Sequence, residues 1–270
     1  MNDANTICKN CSHEFEGKYC PSCGQKGKTG RITIRQVFKD IRNHFIHFEQ
    51  GFLYTIKELL IRPGHTIREY IEGKRVRHIK PVRFMFWATA ISFLVLHYLG
   101  FEEKLLQQIQ ARQGSPTNLP QQQHFAQKLS EMIMGHPSIL MLSLLPGIGL
   151  CSWLLFRKRG YNYAEHFTIG AFLMGELSLF SVLTNLVFMY GAKFEITQMA
   201  VIGSLQWLVW AAYFAWAYRQ ISPEGKKVAT WIKGIGVLFL GYFVMIVVTM
   251  LGIATALTLF KPQIETWMNQ

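Results

Sequence analysis

Four cysteines near the start of the chain carry its clearest chemistry: Cys8-x2-Cys11, then eight residues, then Cys20-x2-Cys23. Each CxxC makes a tight turn that aims two sulfurs at one point, and two such turns complete a tetrahedral set of four thiolates. Pro21 and Gly24 shape the second turn as CPxCG, a zinc-knuckle pattern. The segment is too short for a core of its own, so metal ligation must supply its folding free energy, about 10–16 kcal/mol for structural zinc. Protein fills all four positions and none is left for water or substrate, which makes the expected Zn2+ structural. A redox dithiol and an iron site are the alternatives, and His13 is an alternative ligand. The ribbon either holds a short segment folded or presents a docking surface. Beside a membrane tether, a protein partner is favoured over nucleic acid.

Other residues that could do chemistry lie far along the chain. Glu176 is the one acidic residue deep inside an apolar run. A charge at mid-membrane costs several kcal/mol, so this carboxyl must face other helices or be protonated. It reads either as part of a proton or ion path or as a carboxyl bonded to a neighbouring helix. Tyr161-Asn162-Tyr163-Ala164-Glu165-His166 is a polar segment just before a span. Tyr161 and Tyr163 suit an interfacial anchor, and Asn162, Glu165 and His166 with them suit a partner or headgroup contact. Pro146-Gly147 kinks its span or breaks it at a substrate site. The chain carries no GxSxG, HExxH, P-loop or GxGxxG pattern, so no catalytic role is expected.

The elements that must position these residues are mostly membrane-like. Of 270 residues, 50% are hydrophobic and 16% charged, and the apolar ones concentrate after residue 83. Crossing the hydrocarbon core takes about 20 apolar residues. Spans are expected over about 84–100, 137–156, 167–189, 199–217 and 235–259. Ahead of them, Ile34, Val37, Phe38, Ile41, Phe45 and Phe48 fall at a 3.6-residue period, with Thr33 as N-cap. A second helix runs from about Phe52 to Ile61 and stops at Arg62-Pro63-Gly64. The spacing of Thr66 and Glu69 fits a capping box that starts a third. Residues 125–133 form an amphipathic stretch in a Gln-rich loop. The divisions are therefore 1–27 ribbon, 28–83 basic amphipathic helices, 84–260 transmembrane bundle and 261–270 tail.

Charge sets the orientation. The net charge is +12, and residues 1–83 hold 16 Lys/Arg against 8 Asp/Glu. Lys74, Arg75, Arg77, Lys80 and Arg83 fall within ten residues, a topology signal and a candidate surface for anionic lipid headgroups. The 34–83 region reads equally as a platform on the inner leaflet and as a small helical subdomain packed on itself. Lys/Arg excess alternates between loops, which places the N-terminus inside and the C-terminus outside. The opening MNDANTICKN lacks a basic n-region and apolar h-region, so no signal peptide is expected and the cysteines face a reducing cytoplasm. Gly and Ala in the spans permit close packing, with another copy of the chain as one candidate neighbour.

Three stretches in this order, CKNCSHEFEGKYCPSCGQK, GFLYTIKELLIRPGHTIREYIEGKRVRHIKPVRF and YNYAEH, resemble a bacterial family of membrane proteins named as a domain of unknown function, DUF3667. The resemblance implies the layout, a cytoplasmic zinc ribbon before several spans in the bacterial inner membrane, and carries over only Cys8, Cys11, Cys20 and Cys23. The family often has Gly after the first CxxC where this chain has Ser12, a change expected to alter the turn and leave ligation intact. The expectation is thus an all-α integral membrane helical bundle of about five spans behind a small four-cysteine ribbon and amphipathic helices. Its expected role is docking or assembly, against a small transporter, channel or lipid-handling protein with Glu176 in its path.

Overall fold

The structure is a computed structural model and describes residues 6–43, 51–101, 137–191 and 196–259. The stretch 125–133, the tail 261–270 and the continuation of the first amphipathic helix through Phe45 and Phe48 lie outside the described residues.

The ribbon contains two short antiparallel strands, β1 (Thr6–Ile7) and β2 (Glu14–Phe15), with Thr6 opposite Phe15. Eight α-helices follow among the described residues. The first three are α1 (Ile34–Asn43), α2 (Phe52–Ile61) and α3 (Pro63–Glu72). The long ones are α4 (Pro81–Tyr98), α5 (Pro137–Phe156), α6 (Tyr163–Gly191), α7 (Ile196–Ile221) and α8 (Lys227–Leu259).

Thr33 caps α1 as expected, its Oγ1 accepting from Gln36 N at 3.3 Å. The third helix starts earlier than the Thr66 pattern indicates. Pro63 occupies the first helical turn of α3, where its missing N–H costs nothing and its φ is already helical. The first-turn N–H groups of Gly64 and His65 are capped from afar by Gln220 Oε1, at 2.9 and 3.3 Å. Thr66 turns its hydroxyl to Glu58 O at 3.2 Å.

The five long helices occupy the positions of the five expected spans. Side-chain pairings give their directions. Gly149 abuts Phe167 while Gly170 abuts Ile148, so α5 and α6 are antiparallel. Phe84 meets Phe172 and, further along, Thr89 Oγ1 bonds Ser178 Oγ at 3.1 Å, so α4 and α6 run parallel. Gly234 sits against Ala215 and Phe214, which folds α8 back on α7.

Two of these helices are long and apolar enough to cross a membrane, Tyr163–Val187 and Lys227–Gly252. The expectation of about five spans is corrected to these two among the described residues. α4 reaches 18 residues, but Arg83, Thr89, Ser92 and His97 dilute it. Its buried face, Phe84, Met85, Ala88 and Ser92 among others, packs in the bundle.

The core is continuous from the amphipathic helices into the bundle. Phe52, Leu59, Ile67 and Ile79 join Phe84, Phe172, Phe214 and Tyr218 in one buried cluster. The 52–79 helices are therefore a cap packed on one end of the bundle.

Candidate metal centre and its anchorage

The ribbon is two similar turns facing each other. Cys8 N donates to His13 O at 2.9 Å and Ser12 N to Cys8 O at 2.8 Å; Cys20 N donates to Gln25 O at 2.8 Å and Gly24 N to Cys20 O at 2.9 Å. The residue after each second cysteine must take positive φ, and Ser12 (62°) and Gly24 (73°) do so. Ser12 is the one non-glycine among the described residues in that region.

The turns bring the four sulfurs together. Cys8 and Cys23 Sγ are 3.5 Å apart, Cys11 and Cys20 Sγ 3.6 Å, and all four lie within 4.8 Å of one another. Tetrahedral sites with metal–sulfur bonds of about 2.3 Å place sulfurs about 3.8 Å apart. The four donors therefore fit a metal ion, and soft thiolates select zinc, iron or another thiophilic ion. Desolvation pushes the Cys8 thiol up, but the N–H groups of Cys11 and Asn10 together with hydrogen bonds to the Cys23 and Cys11 side chains outweigh it and leave Cys8 lowered to about 7. Desolvation holds Cys23 up at about 11. His13 is exposed, and its carbonyl rather than its ring serves the turn.

The ribbon is fixed to the cap and, through its linker, to the bundle. Gln25 Nε2 donates to Gly73 O at 2.8 Å, and Lys9 packs against Gly73 while its Nζ donates to Thr29 O at 2.9 Å. Arg31 then reaches the start of α6. Its Nε donates to Glu165 Oε1 at 3.0 Å and its Nη2 to Glu165 Oε2 at 2.6 Å and Gly160 O at 2.7 Å. Asn162 Nδ2 adds a bond to Ile32 O at 3.0 Å.

The polar segment before α6 is thus occupied by the chain's own linker. Asn162 and Glu165 also cap α6 reciprocally: Glu165 N donates to Asn162 Oδ1 at 2.9 Å and Asn162 N to Glu165 Oε2 at 2.8 Å. Tyr163 Oη donates to Pro146 O at 3.1 Å, tying α6 to the proline of α5. His166 is buried, its Nδ1 2.6 Å from Ser152 Oγ, which also receives Tyr218 Oη at 2.6 Å. Tyr161 stands edge-on to the His166 ring.

The structure also places the basic run. Arg75 donates to the carbonyls of Tyr70, Ile71 and Gly30 and lies over the Tyr70 ring. Lys80 Nζ bonds Asp40 Oδ1 at 2.6 Å, holding α1 against the start of α4. Lys74 Nζ is 3.3 Å from Glu69 Oε1. Arg83 is buried, and Arg77 is exposed. Glu176 lies apart from all of these, 1% exposed in α6, and its Oε2 has no hydrogen-bond partner among the described residues.

The residues that sequence reasoning missed are Arg31, Gln25, Gln220 and Ser152. Their partners are tens to more than a hundred positions away, so no local pattern marks them. The one local signal was Asn162-x-x-Glu165, whose spacing is that of a capping box.

Residues 49–93 match the model of a family described as a protein of unknown function, DUF3667. The match covers the α2–α3 hairpin and most of α4, the cap and its entry into the bundle. No curated protein matches the chain, and no solved structure matches it.

Proposed function

We propose that the chain is a membrane-anchored docking protein of the bacterial inner membrane, with a structural zinc ribbon held on the cytoplasmic end of its helical bundle. The observation that carries the docking role is the ribbon's two-sided character. One side is bonded to Gly73 and the linker, while Ile7 and Tyr19 stand 61% and 63% exposed. A closed four-thiolate site offers no position for substrate, so it serves to present that exposed face to a protein partner.

The membrane reading rests on the bundle's outer surface. Phe239, Phe243, Val248, Met250 and Leu251 of α8 are exposed, as are Leu205 and Leu208 of α7 and Leu183 and Val187 of α6. Exposed apolar surface on that scale is unfavourable in water and natural in lipid. The loops at 157–162 and 222–226 meet at the ribbon's end of the bundle, where exposed Arg157 and Lys158 suit anionic headgroups and cytoplasmic retention. The zinc is proposed from the donor set alone.

The test is a crosslinked pull-down from membranes, comparing wild type with Cys20→Ser/Cys23→Ser at matched expression, alongside metal analysis of the purified protein. The expected result is one bound zinc and a partner set lost in the variant. A partner set unchanged in the variant overturns ribbon docking, and absence of metal overturns the zinc assignment.

A second reading, transport through the bundle, is favoured by the buried carboxyl of Glu176, whose Oε2 has no hydrogen-bond partner among the described residues. Proteoliposomes with an imposed proton gradient test it: dye-reported flux that is equal in wild type and Glu176→Gln removes the path.

A further inference from the structure

A cleft of about 390 Å3 opens at the ribbon's end of the bundle, outside both the metal centre and the Arg31 anchorage. Its walls are α3, the turn after α5 and the loop joining α7 to α8. These walls are built to stay in place. Arg219 Nη1 donates to three carbonyls of the last loop, Ser222, Pro223 and Gly225, at 3.3, 2.7 and 3.2 Å. Gln220 pins the start of α3 to the end of α7.

The lining is charged and balanced: Arg68, Lys74 and Arg159 against Glu69, Glu72 and Glu224. Each cation faces a carboxylate, but loosely. Arg68 Nε to Glu72 is 3.9 Å, Arg159 Nη1 to Glu224 3.5 Å and Lys74 Nζ to Glu69 3.3 Å. Ion pairs outside the cleft are tighter, with Arg31–Glu165 and Lys80–Asp40 both at 2.6 Å. Long, solvent-reached pairs contribute little stability, so their members can change partners at small cost.

We infer that this cleft binds a zwitterionic aminophosphate, the phosphate taken by Arg68, Lys74 and Arg159 and the ammonium by Glu72 and Glu224. A simple anion would leave three carboxylates facing it, and a simple cation three positive groups; a ligand carrying both charges satisfies both sets. Three cations in one lining offer more donors than one carboxylate accepts, which selects phosphate over an amino acid's carboxylate. The position of the cleft points to a lipid headgroup. It lies where α5 and α7 end and the two candidate spans begin, the level of the headgroups if the membrane reading above holds. A soluble aminophosphate has the same chemistry, and the experiment separates the two.

Purified full-length protein in neutral detergent is titrated with glycerophosphoethanolamine, and separately with glycerol 3-phosphate and with ethanolamine. Saturable binding about tenfold tighter than either half-ligand is expected, since each half engages only one set of charges. Arg159→Gln and Glu72→Gln should each weaken it severalfold with helical content unchanged. Equal affinity for glycerol 3-phosphate, or undiminished binding in both variants, overturns the site. The titration is then repeated in nanodiscs of phosphatidylethanolamine and of phosphatidylcholine. Loss of soluble-ligand binding only in the phosphatidylethanolamine discs assigns the site to the lipid. Retention in both overturns the lipid source, and it does so without touching the soluble-ligand result, which does not depend on the chain spanning a membrane.

Discussion

Gly64→Ala should be among the most damaging one-carbon changes in the chain. A Cβ at residue 64 would lie 2.2 Å from Ala217 O, 2.4 Å from Gln220 Cβ and 2.8 Å from Ile221 N. Two of these three are backbone atoms of α7, so no side-chain rotation relieves the clash and α3 must lift away. Overpacking of this kind costs about 1–3 kcal/mol, here at the upper end because backbone opposes backbone. Lifting α3 also breaks the bonds from Gly64 N and His65 N to Gln220 Oε1, about 1 kcal/mol for the shorter and less for the longer. The better helix propensity of alanine offsets at most about 1 kcal/mol. The net loss is about 2–4 kcal/mol, or a fall of about 5–10 °C in Tm for a chain of this size. Thermal unfolding of the purified protein in detergent reads it. Gly203→Ala is the internal control, since a Cβ there meets nothing within 4 Å and should leave Tm level or raise it. A Gly64→Ala protein that melts with wild type would refute the backbone contact between α3 and α7.

Three further outcomes follow from single contacts. Glu165→Gln keeps a side chain able to cap α6 but removes the charge that Arg31 grips, so tryptic cleavage after Lys28 and Arg31 should accelerate severalfold; an unchanged rate would show the linker is held by something else. Burial lowers the pKa of His78, against the raising effect of Glu58 and Glu69, and the ring sits beside Tyr54 and Tyr70. Its folded state binds fewer protons than the unfolded chain, so its contribution is intact above about pH 6.5 and is lost as pH falls below it. Thermal unfolding from pH 7 to pH 5 should therefore decline less steeply for His78→Phe than for wild type. Ser12→Gly relieves positive φ at an exposed turn, worth about 1 kcal/mol, and chelator competition should show metal held about fivefold more tightly.

What the sequence revealed divides by distance along the chain. The four-cysteine cluster was legible because both CxxC turns are local and their residue types dictate their backbone. Helix positions were legible from periodicity and length. Span count was legible only in part: α4 is diluted by Arg83 and His97, and a window of residues cannot separate a helix buried by protein from one bathed in lipid. The YNYAEH segment shows a related limit. Its polarity suited an interfacial anchor or a contact with another molecule, and the structure bonds Glu165 to Arg31, 134 residues earlier. A polar cluster shows that some partner is needed and says nothing of which chain supplies it.

The same reasoning bears on the run from Lys74 to Arg83. A count of charges assigns all five cations to headgroups. The structure engages Arg75 with three carbonyls, Lys80 with Asp40 and Lys74 with Glu69, and buries Arg83. Arg77 and Lys74 are the exposed members, and of the two Lys74 has Glu69 beside it. If headgroup attraction scales with cations that can reach the surface, at about 1 kcal/mol each, Arg77→Gln should weaken cosedimentation with anionic vesicles about fivefold and leave Tm alone. Lys80→Gln should do the reverse. It frees α1 from the start of α4, and for a partly exposed pair the loss is about 0.5–1 kcal/mol, a small fall in Tm with vesicle binding retained. Equal losses of vesicle binding in both variants would mean that the run acts as a diffuse field and that its internal bonds yield to the membrane surface.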